Sequence, residues 1–200
     1  MTPMATRLVI ATKNAGKVVE LRDLLGALGF DVLSLRDLPD APEIVEDAGT
    51  FAGNAAKKAI AVAAAYGCAA LSDDSGLEVD ALGGKPGVES ARYGGEGLCD
   101  AARNDLLLGA LQDVPAPART ARFRCALAFA APGAVLQAFE GVFPGRIAFA
   151  PRGRHGFGYD PVFVPDGYDV SLAEIPPEEK RRVSHRAQAL AAFAQWVESR

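Results

Sequence analysis

The sequence predicts an α/β protein built around a mixed sheet. A short, β-branched run, Arg7–Thr12, leads into a helical pattern and then into a second strand, Asp31–Leu35, as in a strand–helix–strand unit. Further along, Arg119–Ala131 and Ala134–Ala150 have the pattern of a long β-hairpin over Pro132–Gly133. Parallel strands in the first part of the chain and an antiparallel hairpin in the second predict a mixed sheet.

Four segments carry helix signals. The first follows Asn14, which can cap it, and ends at Gly29, with one apolar face formed by Val18, Leu21, Leu24, Leu25 and Leu28. The second, Thr50–Tyr66, is alanine-rich and ends at Gly67. The third and fourth predicted helices are Cys99–Leu111 and Ser184–Glu198. Around residues 73–76 we predict a tight turn between two strand pieces, Ala69–Ser72 and Leu77–Val79.

Length and composition fit a single domain spanning residues 1–200, half of them hydrophobic. The 21 Lys and Arg against 25 Asp and Glu give a net charge of −4, which excludes the basic field that holds duplex nucleic acid. No apolar run approaches the about 18 residues of a membrane-spanning helix. The apolar run near the N-terminus is too short for a signal-peptide core, so we expect a cytoplasmic protein.

The segment Thr12-Lys13-Asn14-Ala15-Gly16-Lys17 lies between the first strand and the first helix. A helix N-terminus in this position presents free N–H groups and the positive end of the helix dipole, which suits phosphate. The segment is not a Walker A loop, because Ala11 and Val18 stand where that motif needs Gly and Ser or Thr. It predicts a phosphate site, and a capped surface helix with two lysines is the alternative.

Glu46 stands just ahead of the alanine-rich helix. Lys58 lies four residues past Asn54 and seven past Phe51, so these three share one helix face, whereas Lys57 points about 100° away. An acidic residue together with an Asn and a Lys on one face predicts a polar site. The alternative is ordinary capping with a solvated lysine pair.

Two adjacent carboxylates, Asp73 and Asp74, follow a predicted strand and precede Ser75-Gly76. Adjacent carboxylates repel and raise each other's pKa unless a cation or a donor lies close by. Magnesium, which prefers carboxylate oxygens together with substrate phosphate, would relieve that repulsion. A solvated turn is the alternative, since Asp, Ser and Gly are common turn residues.

Two further segments suit a planar ligand. In Gly156-Phe157-Gly158-Tyr159-Asp160-Pro161, the glycines let the backbone approach closely, so that the aromatic ring can lie against a planar ring. Lys180 and the run Ser184-His185-Arg186 place basic residues at the start of the last helix, where the dipole disfavours them unless an anion or a carbonyl oxygen lies opposite.

Together these segments resemble the inosine triphosphate pyrophosphatase family over almost the whole chain. The resemblance rests on motifs in family order: Thr12-x-Asn14-x-x-Lys17, Glu46 before Thr50-Phe51-x-x-Asn54-Ala55-x-x-Lys58-Ala59, Asp73-Asp74-Ser75-Gly76-Leu77-x-Val79, Pro86-Gly87 with Ser90-Ala91-Arg92-Tyr93, the 156–161 run, and Ser184-His185-Arg186. In one departure, the family's Gly two residues after the acidic position is Ala48 here. Glu46 and Asp47 therefore both remain candidates for the metal, and the spacing to Phe51 favours Glu46.

The resemblance implies an elongated α/β fold with a substrate cleft between two lobes, a Mg²⁺ requirement and a homodimer. It implies hydrolysis of the purine nucleoside triphosphates ITP, dITP and XTP to the monophosphate and pyrophosphate. The implied metal residues are Glu46 and Asp74, and the implied catalytic carboxylates are Asp74, as proton acceptor, and Asp73. The implied substrate-binding residues are Thr12, Lys13, Asn14, Ala15, Gly16, Lys17, Lys58, Ser75, Phe157, Gly158, Tyr159, Asp160, Lys180, His185 and Arg186.

The chemistry of these residues fits that reaction. Attack at the α-phosphorus builds charge on the bridging oxygen, which lysines and a metal stabilise, while a carboxylate orients or deprotonates the water. Three other functions stay open: a non-catalytic nucleotide sensor, a single-strand nucleic-acid binder and a pyrophosphatase for modified pyrimidines. The sensor has no use for three carboxylates, and the nucleic-acid binder would need a basic groove with several aromatics.

Overall fold

A computed structural model describes residues 7–38 and 40–200 of the chain, without the side chains of Asp23 and Leu24. It is an α/β structure with a mixed sheet, which confirms the predicted class. The strands are β1 (Arg7–Ile10), β2 (Asp31–Ser34), β3 (Ala69–Val79), β4 (Thr120–Ala131), β5 (Ala134–Ile147) and β6 (Phe163–Pro165). The helices are α1 (Ala15–Ala27), α2 (Phe51–Tyr66), α3 (Asp100–Ala110), α4 (Pro177–Val183) and α5 (His185–Glu198).

The sheet has the strand order β2-β1-β3-β4-β5-β6. Strand β1 runs parallel to both β2 and β3, with Leu8 opposite Val32 on one side and Ala69 on the other. At the other edge β6 runs antiparallel to β5, with Arg146 opposite Val164. The parallel half follows from the predicted strand–helix–strand alternation, because parallel neighbours need a crossover connection.

The chain forms two compact units. Unit 1 comprises the chain up to Asp74 together with Ala126–Glu140 and Ala189–Arg200, and unit 2 comprises Ser75–Cys125 and Gly141–Gln188. Strands β3, β4 and β5 each contribute residues to both units. The boundary in β3 falls between Asp74 and Ser75, so adjacent residues of one predicted motif belong to different units.

The core of unit 1 packs helices against the parallel strands. Val18, Leu21 and Leu25 of α1 are buried, as the apolar periodicity predicts, while Leu24 on the same predicted face lies outside the described side chains. Phe193 of α5 contacts an aromatic group formed by Phe30, Phe129, Phe139 and Trp196. Among the described residues, no helix combines the length and apolar character needed to cross a membrane.

The core of unit 2 surrounds β6 and the C-terminal end of β3, with Leu77, Leu107 and Phe163 fully buried. A buried arginine, Arg119, stabilises the end of α3 by donating to the carbonyl oxygens of Leu111 at 2.7 Å, Ile147 at 3.0 Å and Ala148 at 2.9 Å. Burying the guanidinium without hydrogen-bond partners would cost free energy. Its contacts therefore connect the segment after α3 to the end of β5.

The predicted turn at residues 73–76 is wrong, because β3 is continuous from Ala69 to Val79. Asp and Ser favour turns when they are solvated, but Asp73 is fully buried and Asp74 is 6% exposed, each with a lysine partner. Two short elements, β6 and α4, are absent from the prediction because they are too short to show a period. Lys180 accordingly lies in α4, ahead of the last helix.

Candidate active site

The predicted phosphate segment forms the loop between β1 and α1. Asn14 is the N-cap of α1, since its side-chain oxygen accepts from the Lys17 N–H at 3.1 Å, and the Thr12 hydroxyl oxygen accepts from the Asn14 N–H at 3.2 Å. Lys13, Asn14 and Ala15 are exposed, while Gly16 is partly buried. The loop therefore presents a capped helix N-terminus with an exposed lysine beside it, as an anion site requires.

A cavity of about 400 Å³ opens beside this loop within unit 1. Its polar lining includes Thr12, Lys13, Glu46 and Lys58, and its other walls are Ala11, Leu35, Pro42, Glu43, Ile44 and Val45. The volume is within the range of small-molecule sites, about 300–1,000 Å³. Two predicted cations and one predicted metal-binding carboxylate thus line one opening.

Lys58 is the centre of a buried polar cluster. Its Nζ donates to Glu46 Oε1 at 2.8 Å, to Asp74 Oδ1 at 2.9 Å and to the backbone oxygen of Asp73 at 3.0 Å. Burial alone would lower the pKa of Lys58, but the carboxylates of Asp74 and Glu46 outweigh it and raise the pKa. Lys58 therefore stays positively charged between two carboxylates.

The residues next to Lys58 and Glu46 in the sequence, Lys57 and Asp47, form a second ion pair, which is exposed to solvent. Lys57 Nζ contacts Asp47 Oδ1 at 2.5 Å, with both side chains well exposed. This arrangement confirms the predicted α2 face, on which Phe51, Asn54 and Lys58 are buried. It also separates the two acidic candidates, because Glu46 shares a cation with Asp74 whereas Asp47 lies at the surface.

Asn54 joins this cluster, as its shared helix face with Lys58 predicts, although it is not among the site residues that the resemblance implies. Its Oδ1 accepts from the Ala48 N–H at 3.0 Å and its Nδ2 donates to Asp74 Oδ2 at 3.2 Å. The side chain is 1% exposed, so both ends of the amide are engaged inside the protein. Asn54 therefore fixes the orientation of the Asp74 carboxylate and connects it to the loop that carries Glu46.

Asp73 and Asp74 point to opposite faces of β3, because successive side chains of a strand alternate. Asp73 forms an ion pair with Lys17 of α1, and Asp74 contacts Lys58 of α2. Burial raises the pKa of the Asp74 carboxyl above its usual value, Lys58 and Lys17 oppose that rise, and Glu46 adds to it. Asp73 and Asp74 thus contact different lysines, and these two cations relieve the predicted repulsion between the two aspartates.

The buried position of Lys58 gives a stability prediction. Replacing Lys58 with Ala leaves Glu46 and Asp74 without their shared cation, and we expect the free energy of unfolding to fall by about 3–5 kcal/mol. Lys57→Ala is the matched control and should leave stability close to wild type, because its partner is exposed. Urea unfolding of both variants measures the difference; equal stability of the two variants would contradict the buried cluster.

A second cluster lies in unit 2 around Phe157. Asp160 is buried, and its Oδ2 accepts from Lys180 Nζ at 2.6 Å and from the Phe157 N–H at 2.9 Å. Lys180 Nζ lies 4.7 Å from the centroid of the half-buried Phe157 ring, within range of a cation–π interaction. Gly156 has a φ of +79°, and a Cβ there would collide with the Asp160 carboxylate, so only glycine fits.

Arg186 and Ser75 belong to the same cluster. Arg186 is 2% exposed; its Nη2 lies 3.4 Å from Ser75 Oγ and its guanidinium carbon 5.9 Å from the centroid of the Phe157 ring. His185 is also buried and stacks on Phe123, with ring centroids 4.9 Å apart and planes 10° apart. The structure thus brings together Ser75, Phe157, Lys180 and Arg186, as the resemblance implies.

Tyr159 differs from its neighbours in the predicted pocket segment. Its ring packs in the hydrophobic core of unit 2 and its hydroxyl donates to the Ser90 oxygen at 2.8 Å. Burial raises the pKa of Tyr159 above its usual value, so the hydroxyl remains a donor. Only the backbone of Tyr159 is left to meet a ligand, and the side chain anchors the segment to the core.

Comparison with known proteins decides the family. The model of the Ham1 family matches residues 8–196, nearly the whole chain. The chain belongs to the Ham1 family. This confirms the family indicated by the motifs, and the Ham1 match covers every predicted site residue from Thr12 to Arg186.

Ham1-family relatives of similar length carry consistent names. The chain is 52% identical over 186 residues to the dITP/XTP pyrophosphatase of Geobacter sulfurreducens, covering 93% of this chain and 94% of that protein. It is 46% identical over 191 residues to the dITP/XTP pyrophosphatase of Bacillus subtilis, covering 96% of each. A solved HAM1 protein from Coxiella burnetii aligns with a TM-score of 0.89 and 37% identity, covering 98% of this chain and 100% of that one.

Two carboxylates of the Ham1-family chain converge on one point of the cluster around Lys58. Glu46 and Asp74 lie within 2.9 Å of the same Lys58 Nζ, so their oxygens converge. In the described ranges, 7–38 and 40–200, three or more His, Cys, Asp or Glu side chains nowhere group as a metal site. A donor set of two carboxylates fits Mg²⁺, which commonly takes one or two carboxylates and completes its shell with water and substrate phosphate.

Proposed function

We propose that this protein hydrolyses non-standard purine nucleoside triphosphates, ITP, dITP and XTP, to the nucleoside monophosphate and pyrophosphate. The observation that carries the proposal is the cluster of the buried Lys58 and Asp74 with the half-buried Glu46, beside a cavity of about 400 Å³. A module that only binds a nucleotide has no need of two carboxylates that converge beside the cavity. The names of its relatives support the same reaction.

The residues of unit 1 suit the triphosphate. In this proposal water attacks the α-phosphorus, the bond from that phosphorus to the bridging oxygen breaks, and pyrophosphate leaves. The leaving group gains negative charge, and the positive charge opposite it comes from the N-terminus of α1, Lys13 and Lys58. An ion pair with Asp73 fixes the position of Lys17.

The two aspartates divide their roles in this proposal. Asp73 is fully buried against Lys17 and acts as the residue that positions that lysine. Asp74 accepts the proton of the attacking water, and Asn54 keeps its carboxylate in orientation. Glu46 and Asp74 would hold Mg²⁺, which when bound neutralises phosphate charge and lowers the pKa of water.

The magnesium proposal predicts a complete dependence on divalent cation. Hydrolysis of ITP should fall to background in excess EDTA and return when Mg²⁺ is added back in excess. The melting temperature in EDTA serves as the control, because Lys58 already pairs with both carboxylates and the fold should persist. Activity that survives chelation would remove magnesium from the account.

The residues of unit 2 suit a 6-oxopurine. Hypoxanthine and xanthine present a carbonyl oxygen at position 6, for which Arg186 and His185 supply N–H donors, whereas adenine presents an amino donor. Phe157 offers a ring face on which any purine can stack. A nucleoside triphosphate requires both a triphosphate-binding and a base-binding set of groups.

The site of bond cleavage is tested with isotopic water. When ITP is hydrolysed in H₂¹⁸O, attack at the α-phosphorus places the label in IMP and leaves pyrophosphate unlabelled, which mass spectrometry of the two products measures. Label in pyrophosphate, or release of single phosphate, would show attack at another phosphorus. Either result would contradict the proposed reaction.

We further propose that the enzyme works as a homodimer in the cytoplasm, without nucleic acid or membrane as a partner. The family resemblance supports the dimer, the location of nucleoside triphosphate pools supports the cytoplasm, and the net charge of −4 disfavours a nucleic-acid partner. Sedimentation at several concentrations measures the mass; a single species of 20.9 kDa would contradict the dimer.

A further inference from the structure

Two side chains of α3 hold the backbone of Gly158, the residue after Phe157. The Gly158 N–H donates to Asp100 Oδ2 at 2.7 Å, and Asn104 Nδ2 donates to the Gly158 oxygen at 3.1 Å. Asp100 and Asn104 are four residues apart and share one face of the helix. Asn104 is 3% exposed, and Asp100 Oδ1 forms an ion pair with Arg103 Nη1 at 2.9 Å.

The two contacts to Gly158 come from a different element of the chain than the other hydrogen bonds around Phe157. The Phe157 N–H donates to Asp160 Oδ2, and the Phe157 oxygen accepts from the Asp160 N–H at 3.3 Å, so both bonds lie within the segment. The contacts to Gly158 come instead from a helix more than 50 residues away in sequence. They connect the segment that carries Phe157 to a rigid element of unit 2.

The chemistry of the two side chains defines the direction of the peptide groups. A carboxylate only accepts, so Asp100 requires an N–H, and the amide nitrogen of Asn104 only donates, so it requires a carbonyl oxygen. Gly158 has a φ of +63°, in the left-handed region that glycine enters and leaves readily. Holding the peptide groups on both sides of Gly158 removes that freedom and with it the freedom of the adjacent Phe157.

We propose that Asp100 and Asn104 are positioning residues that hold the Phe157 ring at the angle required to stack on a purine. This inference rests on the proposed function, since it concerns the base-binding side of that site. Neither side chain touches the reacting phosphate groups in this account. Their loss should therefore weaken binding of the purine and leave the chemical step nearly unchanged.

The test compares variants that remove or keep each hydrogen bond. Asp100→Ala removes the acceptor, whereas Asp100→Asn retains an oxygen that can accept from Gly158. Asn104→Asp removes the donor and places a carboxylate against the Gly158 oxygen. Asp105→Asn, an exposed change on the same helix, is the matched control. For each variant, KM and kcat for ITP, the Kd of IMP and inhibition by inorganic pyrophosphate are measured.

We expect Asp100→Ala and Asn104→Asp to raise the KM for ITP and the Kd of IMP by about ten-fold, with kcat within about two-fold. Asp100→Asn and Asp105→Asn should stay close to wild type. Pyrophosphate, which carries no base, should inhibit all variants equally. The proposal is overturned if KM is unchanged in both disruptive variants, if kcat falls instead, or if pyrophosphate inhibition weakens in parallel with IMP binding.

Hydrogen exchange separates failure of this proposal from failure of the proposed function. Exchange in the peptide containing Gly158 should accelerate in Asp100→Ala and not in Asp100→Asn, whatever the substrate of the enzyme. Unchanged exchange in Asp100→Ala would overturn the positioning role. If wild type failed to hydrolyse ITP while exchange responded as expected, the proposed function would be wrong and the role of α3 in holding the segment would stand.

Discussion

Replacing Asp74 with Asn is expected to lower kcat for ITP by about 10²–10⁴-fold, while ITP still binds. The amide has the shape of the carboxylate, and its oxygen can still accept from Lys58, whose other partner Glu46 remains. What disappears is the proposed proton acceptor, the oxygen that accepts from Asn54 Nδ2, and one of two carboxylates that would hold Mg²⁺. Steady-state kinetics give kcat, and calorimetric titration with ITP measures binding.

Asp47→Asn is the matched control for this substitution. It removes a carboxylate of the same polar region, but one that is exposed and contacts Lys57 at the surface. We expect wild-type kcat from it. If Asp74→Asn kept more than about a tenth of wild-type kcat, a general base at this position would be excluded, because such a group contributes about 10²-fold or more.

The second large effect is expected from Arg186→Ala, which should lower kcat/KM for ITP by about 10–100-fold and for ATP far less. The guanidinium lies beside Ser75 and Phe157. In the proposed site it would donate to the oxygen that hypoxanthine has and adenine lacks at position 6. The ratio of kcat/KM for the two nucleotides should therefore collapse. A site that hydrogen-bonds its substrate can reject a mismatched analogue by about 10⁴–10⁵-fold.

Two controls separate base recognition from packing. Phe157→Ala should lower kcat/KM for ITP and ATP by similar factors, because stacking does not distinguish purines. Arg182→Ala removes an exposed arginine of the neighbouring helix α4 and should leave both values unchanged. If Arg186→Ala kept the ITP-to-ATP ratio while its melting temperature stayed normal, base recognition would have to lie elsewhere.

The face of α2 was predictable because helical periodicity is a local property. Asn54 and Lys58 fall on the same side of the helix as Phe51, and all three are buried, whereas Lys57 is solvated, as the spacing requires. Capping of α1 by Asn14 is equally local, and it too is found where the sequence places it.

The state of the charged residues was harder to predict, because it depends on partners distant in sequence. Asp73 and Asp74 resemble turn residues in isolation, yet lysines from α1 and α2 neutralise them and let β3 continue through them. From the sequence, Lys17 and Lys58 are predicted phosphate-binding cations, with solvated surface lysines as the alternative. Since both are mostly buried against carboxylates, the structure predicts an effect on stability as well as on activity.

The contribution of α3 could not be predicted at all. Asp100 and Asn104 stand in a helix with no motif that signals a site, and their common partner, Gly158, is 58 and 54 residues away. Side-chain contacts to a distant backbone leave no periodic or compositional signal. Only the packing of unit 2 brings them together.

The most direct test of the proposed reaction is a panel of nucleotides assayed for phosphate release, with and without added inorganic pyrophosphatase. We expect ITP, dITP and XTP to yield phosphate only when pyrophosphatase is present, and ATP and modified pyrimidine triphosphates to yield little in either case. Phosphate release without pyrophosphatase, or turnover of ATP at the rate of ITP, would contradict the account.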